Sequence, residues 1–246
     1  YEMTSSLVGS EMCIRDRAQT VQYIENNLEK LRGKYICVSN VHTTVMAHDN
    51  PAYRNVQNSA AIALPDGKPL SVVSRKRGYT EAERVTGPDL MGELFARKNG
   101  LKHFFYGDKE ETLQILQQKL KEKYPDIQIA GMISPPFRSL SQEEEKAYIQ
   151  QINDSGADIV WIGLGAPKQE NWMYEHQGML HGVMIGVGAG FSYHAGLIKR
   201  APKWMQKMSL EWFYRLMQDP VRLFKRYFTT NLKFMLLEAK DKGEAL

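Results

Sequence analysis

The densest set of residues able to do chemistry runs from Asp158 to Trp172: Asp-Ile-Val-Trp-Ile-Gly-Leu-Gly-Ala-Pro-Lys-Gln-Glu-Asn-Trp. Gly163 and Gly165 permit a tight turn and leave room for a ligand near the backbone. Pro167 suits the first turn of a helix, where its missing N–H costs nothing. The free amides of that helix start, together with the helix dipole, favour an anion. Lys168 adds a positive charge, and Gln169, Glu170 and Asn171 add polar reach. A phosphate-type group is what such a turn takes. A Gly-x-Gly serving turn geometry alone has the same sequence, and the full dinucleotide fingerprint is missing. A second candidate is Asp66, in Pro65-Asp66-Gly67 at the end of the apolar run Ser59 to Leu64. It puts a carboxylate just past a strand end, where α/β folds bind ligands. Asp-Gly is also a common turn pair, and both readings stand. A third group is the turn Gly188-Ala189-Gly190, which follows the apolar run Val183 to Val187.

Other chemistries lack their residues. The two cysteines and six histidines show no zinc spacing, and neither a Gly-x-Ser-x-Gly elbow nor a Walker loop occurs. No metal site is expected. Glu143-Glu144-Glu145 reads as a solvated helix face. His42 and His194 each sit beside a predicted loop, where packing or capping is the ordinary role of a lone histidine. Cys37 falls in a buried strand and Cys13 near the N-terminus, which fits a reducing, cytoplasmic setting rather than a disulfide scaffold.

The elements that must position these groups alternate. Strands are expected at Tyr35 to Val41, Ser59 to Leu64, His103 to Tyr106, Ile127 to Ile133, Ile159 to Ile162 and Val183 to Val187, with helices between them. One helix is expected over residues 18–32. Another should start at Pro88, and capping boxes are expected at Asp108 with Glu111 and at Ser141 with Glu144. Such alternation argues for an α/β, Rossmann-like, largely parallel sheet with helices on both faces and right-handed connections. The Gly turns at 107, 163–165 and 186–190 should then converge with Asp66 on one sheet edge. Residues 1–17 show no helical or strand period and resemble translated adapter sequence, so a non-native or disordered leader is expected there. The α/β core is assigned to residues 18–200, and a helical appendage to residues 201–246.

The appendage is chemically distinct. Residues 199–233 hold nine Lys and Arg against two acids, a net +7, whereas residues 1–198 sum to −2 within a chain of +4 overall. A basic segment of this kind points to an anionic partner. From Pro220 onward, Val221, Phe224, Phe228, Leu232 and Met235 share one helical face, and Arg222, Arg226, Lys233 and Lys240 lie on a neighbouring one. That pattern suits an anionic membrane surface; an ordinary core-packed helix with a solvated basic side has the same pattern. The tail aromatics fall on helices rather than on a sheet face, which disfavours nucleic acid. No apolar run approaches the ~20 residues of a membrane span. Attachment is therefore expected to be peripheral.

Five ordered motifs carry a resemblance. They are Leu64-Pro65-Asp66-Gly67, Glu83-Arg84-Val85-Thr86-Gly87-Pro88-Asp89-Leu90, Gly163-Leu164-Gly165-Ala166-Pro167-Lys168-Gln169-Glu170, Lys199-Arg200-Ala201-Pro202, and Leu210-Glu211-Trp212-Phe213-Tyr214-Arg215-Leu216 with Pro220, Arg222 and Arg226-Tyr227 after it. Over roughly residues 20–230 the chain closely resembles the WecG/TagA/CpsF bacterial glycosyltransferases, glycosyltransferase family 26. The resemblance implies an inverting, metal-independent enzyme without a cofactor. It would move a sugar, N-acetylmannosamine-like or another hexose, from a UDP-sugar to a polyprenyl-diphosphate-linked sugar acceptor in cell-surface polysaccharide or teichoic acid synthesis. By the same resemblance Asp66 is the general base, Asn40 and Arg84 belong to the site, and Gln169 lies near the nucleotide sugar. Arg215 and Arg222 are appendage arginines of the site, with Arg226 beside them. Gly163, Gly165, Lys168, Glu170 and Gly188 complete the expected substrate contacts. Family members often carry Thr two residues before the asparagine; here that slot is Val38, with Thr43 and Thr44 further on. Relatives also imply possible self-association and a location on the inner face of the cell membrane. A dehydrogenase-like nucleotide-binding domain is the alternative, although the first strand ends in Ser-Asn-Val-His without its glycines. A non-enzymatic lipid-surface adaptor is another.

Overall fold

The structure is a computed structural model that describes residues 17–78, 82–208 and 210–243. Residues 1–16, most of the expected leader, lie outside the described residues. Arg17 does not belong with them: it opens α1 (Arg17–Asn26), and its guanidinium lies 3.0 Å from the Glu93 carboxylate.

Six strands form one all-parallel sheet: β1 (Tyr35–Ser39), β2 (Ile62–Pro65), β3 (Lys102–Gly107), β4 (Gln128–Ile133), β5 (Ile159–Gly163) and β6 (Val183–Gly186). Their spatial order is β2-β1-β6-β5-β3-β4. The central strands are mostly apolar because both faces are covered, whereas the edge strand β4 is largely half-buried. Alternate residues feed two cores. Ile36, Val38, Phe105, Trp161 and Ile185 face one side; Tyr35, Cys37, Phe104, Tyr106, Val160 and Met184 face the other.

The helices follow in chain order. After α1 come α2 (Leu28–Leu31), α3 (Val41–Asp49), α4 (Pro51–Asn58), α5 (Lys68–Lys76), α6 (Gly87–Ala96), α7 (Glu110–Lys123), α8 (Gln142–Asp154), α9 (Lys168–Glu175) and α10 (Gly190–His194). The appendage adds α11 (Lys203–Lys207), α12 (Glu211–Gln218) and α13 (Pro220–Gly243). The single helix expected over residues 18–32 is broken at Asn27, whose φ of −119° leaves the helical region. Ser141 and Glu144 form the expected capping box on α8. The box expected at Asp108 does not form. Asp108 takes a φ of 58°, Lys109 becomes the cap residue of α7, and the Asp108 carboxylate instead accepts from Ser192 Oγ at 3.0 Å. Its carbonyl accepts from Ser134 Oγ at 2.8 Å. Asp108 thereby ties together the ends of β3 and β4 and helix α10.

The register aligns the strand ends that matter. Ser39 pairs with Pro65, Cys37 and Ile162 with Gly186, and Gly107 with Gly163. Gly107 and Gly163 need their missing side chains. A Cβ on Gly107 would lie 2.6 Å from the Gly163 carbonyl carbon, and one on Gly163 would lie 2.7 Å from the Phe191 ring. The chain leaves β1 toward β2 and β3 toward β4, in opposite directions, and a doubly wound sheet opens its crevice between such departures.

Candidate active site

Asp66 follows β2 and is fixed by backbone: its N–H donates to Ser39 O at 2.7 Å, and Val85 N–H donates to Pro65 O at 2.9 Å. The second bond brings the loop before α6, with Arg84, against the same strand end. Arg84 Nε lies 3.8 Å from Asp66 Oδ1. Burial pushes the Asp66 carboxyl up to about 6; Arg84 and Arg215 pull it down, while Glu211 and Asp89 push it further up. Asp66, its side chain 30% exposed, thus stands among charged groups at the sheet edge.

Asn40, at the end of β1, caps α3. Its Oδ1 accepts from His42 N at 3.0 Å and Thr43 N at 3.2 Å, and its own N–H donates to Thr43 Oγ1 at 2.9 Å. The two backbone donors fix which side of the amide is oxygen, so its NH₂ group is what Asn40 has left to offer a ligand. The Thr43 and Thr44 hydroxyls are engaged at the Asn40 carbonyl, at 2.9 and 3.0 Å. Val38 is buried in the core.

The glycine turns behave differently from the polar residues after them. Gly165 has a φ of 77° and open space where a Cβ would sit, and Lys168 beyond it is exposed. Gln169 and Glu170, expected to touch substrate, are 3% and 1% exposed. Gln169 Oε1 accepts from Gly188 N at 2.9 Å, and its Nε2 donates to Glu170 Oε1 at 2.7 Å. Burial raises the Glu170 pKa, partly offset by bonding to Gln169 and Tyr53. Beneath them Ser39 Oγ donates to Gln57, and Gln57 to the Tyr53 hydroxyl. Gln169 and Glu170 therefore brace the Gly188 turn from below. Gly188 has a φ of 53° and needs glycine for that conformation.

The appendage brings a second set of charges to this edge. Arg84 Nη2 donates to Glu211 Oε2 at 2.5 Å, Arg200 Nε donates to Glu211 Oε1 at 3.0 Å, and Arg200 also grips Asp89. Arg200 and Arg215 both lie over the Tyr193 ring, at 5.9 and 5.7 Å from its centroid. Among the described residues the Nε atoms of Arg84 and Arg215 are buried without a hydrogen-bond partner, Arg84 Nε lying at ion-pair distance from Asp66. Arg222 and Arg226 lie on α13 with side chains outside the described ones. Glu211, Arg200, Asp89 and Tyr193 were not singled out by residue chemistry, although the first three fall inside the ordered motifs. His194 accepts a packing role: its Nε2 contacts Pro88 O at 2.9 Å and burial lowers its pKa. Among the described residues no group of His, Cys, Asp and Glu gathers as a metal-ligand set.

Helix α13 carries two apolar stripes. Leu223 and Phe234 are buried, Phe234 against Val45 of α3 and Leu70 and Val73 of α5. Val221, Phe224, Phe228, Leu232 and Met235 are exposed, from 49% for Leu232 to 94% for Val221. The core-packed reading of that second face is thereby overturned. Lys233, expected on the free basic face, instead pairs with Asp49 at 2.6 Å and holds the helix to the core. No helix among the described residues is long and apolar enough to cross a membrane.

Comparison with known proteins agrees with the motifs. The sequence model of the glycosyl transferase WecG/TagA/CpsF family matches residues 6–245. An N-acetylglucosaminyldiphosphoundecaprenol N-acetyl-beta-D-mannosaminyltransferase of Bacillus subtilis (strain 168) is 31% identical over 206 residues, 82% of this chain and 78% of the relative. A protein of the same description from Bacillus spizizenii (strain ATCC 23059 / NRRL B-14472 / W23) is 30% identical over 229 residues, 89% of this chain and 87% of the relative.

Proposed function

The chain belongs to the glycosyl transferase WecG/TagA/CpsF family, and from that premise we propose that it transfers N-acetylmannosamine from a UDP-sugar to N-acetylglucosaminyl-diphosphopolyprenol with inversion at the anomeric carbon. The transferred sugar and the acceptor follow the names of the two Bacillus relatives, and UDP as the sugar's carrier follows the family resemblance. The single observation that carries the mechanism is Asp66 at the strand edge beside Arg84, with a carboxyl titrating at about 6. A base efficient near neutral pH needs a pKa close to the working pH. As the acceptor oxygen bonds to the anomeric carbon, its proton passes to Asp66 and the bond to the UDP phosphate breaks. The charge on departing UDP is met by the Arg215 guanidinium, whose Nε has no hydrogen-bond partner among the described residues, and by the amides of the glycine turns. Gln169 and Glu170 contribute by holding the Gly188 turn. Only donor and acceptor are needed, with no further cofactor.

A lipid-linked acceptor also gives the exposed stripe of α13 a purpose, which is peripheral docking on the inner face of the cell membrane. The test is transfer of radiolabelled sugar from a panel of UDP-sugars to a short-chain polyprenyl-diphosphoryl N-acetylglucosamine. Turnover with UDP-N-acetylmannosamine that needs the acceptor, and falls by about 10²–10⁴ in a folded Asp66→Asn protein, is expected. Near-wild-type turnover in that variant would return Asp66 to a turn role.

A further inference from the structure

Glu211 opens α12 and turns inward, its side chain 12% exposed, while Trp212 and Phe213 after it face solvent. Its two oxygens serve cations from different parts of the chain. One takes Arg84 of the core loop at 2.5 Å, the other Arg200 at 3.0 Å. Arg200 is already anchored, because it also grips Asp89, and Asp89 is locked to Thr86 at the start of α6 by a 2.7 Å hydrogen bond. Asp89, Arg200, Glu211, Arg84 and Asp66 therefore form a chain of alternating sign that ends on the base. The Arg200–Asp89 contact lies within residues 18–200, so the appendage's own hold on this chain is Glu211. What Glu211 adds is a hold on Arg84, the residue whose Nε faces Asp66.

We propose that Glu211 is a positioning residue for sugar transfer: by bridging Arg200 and Arg84 it fixes the guanidinium that faces Asp66, so that the base reaches its working arrangement only when the appendage is docked. This rests on the reading of Asp66 as the base. The groups facing Asp66 are Arg84 from the loop before α6, Asp89 from α6, and Glu211 and Arg215 from α12. Arg84 and Arg215 favour the ionised form of Asp66, and Asp89 and Glu211 oppose it. Removing the Glu211 charge leaves Arg84 less neutralised, so Asp66 must ionise at lower pH. It also leaves the Arg84 guanidinium, still drawn to Asp66, without its second hold on orientation. Misplacing a site group by about 1 Å can cost ~10²-fold in rate.

The experiment is the pH profile of kcat/KM for full-length wild type, Glu211→Gln, Glu211→Asp and Asp66→Asn. The substrates are UDP-N-acetylmannosamine and the short-chain acceptor. Glu211→Gln is expected to lose about 10- to 100-fold on the plateau and to move its acid limb to lower pH. Glu211→Asp keeps the charge but shortens the reach, and is expected to lose rate with the limb unmoved. A Glu211→Gln protein that loses rate with an unmoved limb is a damaged clasp, and overturns the proposal. If Glu211→Gln fails to fold, wild-type kinetics in Glu211→Asp overturn it equally. An Asp66→Asn protein that stays active sinks the base reading and this proposal with it. An inactive Asp66→Asn beside an unmoved Glu211→Gln limb sinks the proposal alone.

Discussion

Replacing Phe224 and Phe228 by serine separates membrane docking from folding, because the two rings are 62% and 63% exposed while Leu223 next to them is fully buried. A phenylalanine offers about 150–250 Å², so each ring leaves on the order of 100–150 Å² in water. At ~25 cal/mol per Å² that area is worth about 2.5–4 kcal/mol per ring on full transfer to an apolar phase. An interfacial helix sinks only part way, and half of that figure is a fair share. The double variant should then lose about 3 kcal/mol of membrane affinity, roughly 10²-fold in partitioning. Its thermal stability should stay close to wild type, since surface substitutions away from packed groups usually fall within about 0.5 kcal/mol. Leu223→Ala is the contrast: truncating a buried leucine costs about 2–5 kcal/mol of stability and loosens the helix from the core. The assay is sedimentation with anionic liposomes at low salt, run beside a melting curve for each protein. Unchanged sedimentation of the Phe224→Ser, Phe228→Ser protein refutes the docking argument. A large drop in its melting temperature would show that the stripe is packed after all.

Three further outcomes follow from the site. Gln169→Ala should raise the donor KM more than it lowers kcat, because it removes the brace on the Gly188 amide rather than a reacting group; steady-state kinetics with varied UDP-sugar decide this, and unchanged constants would free Gln169 from any role. Asp66→Asn should melt higher than wild type at neutral pH. The folded carboxyl titrates at about 6, above its ordinary 3.8, so protonated Asp66 favours the fold. That contribution is full below the ordinary value and is lost as pH rises through about 6. The gap between the two melting curves should close as pH falls below that ordinary value. Gly163→Ala should cost about 1–3 kcal/mol in urea unfolding, the usual penalty of overpacking, because the new methyl meets the Phe191 ring.

Much of the architecture was readable because the signals were local. Apolar runs without alternation, such as Tyr35–Ser39 and Ile159–Gly163, mark strands covered on both faces, and Ser141 with Glu144 marks a helix start. The misreadings share a cause: a polar side chain found a distant partner that outcompeted the near one. Asp108 has a capping-box spacing but bonds to Ser192, 84 positions away. Gln169 and Glu170 look like residues reaching for a ligand, and the fold buries both, Gln169 accepting from the Gly188 amide and donating to Glu170. The Asp66–Arg84–Glu211–Arg200–Asp89 chain brings together four separate motifs, and only the folded topology makes them neighbours. The amphipathic period of α13 gave the right five residues for one face. It could not show that a second stripe, with Leu223 and Phe234, would anchor the helix elsewhere.

That second stripe has a mechanical consequence. A surface helix held only by its solvent-facing residues can roll about its axis and change which groups it presents. Buried Leu223 and Phe234, with the Lys233–Asp49 pair, clamp α13 against the core along its length and remove that freedom. The outward stripe then behaves like the foot of an instrument stand. Under the docking proposed above, that fixed seating would hold the crevice at one distance from the membrane that carries the acceptor.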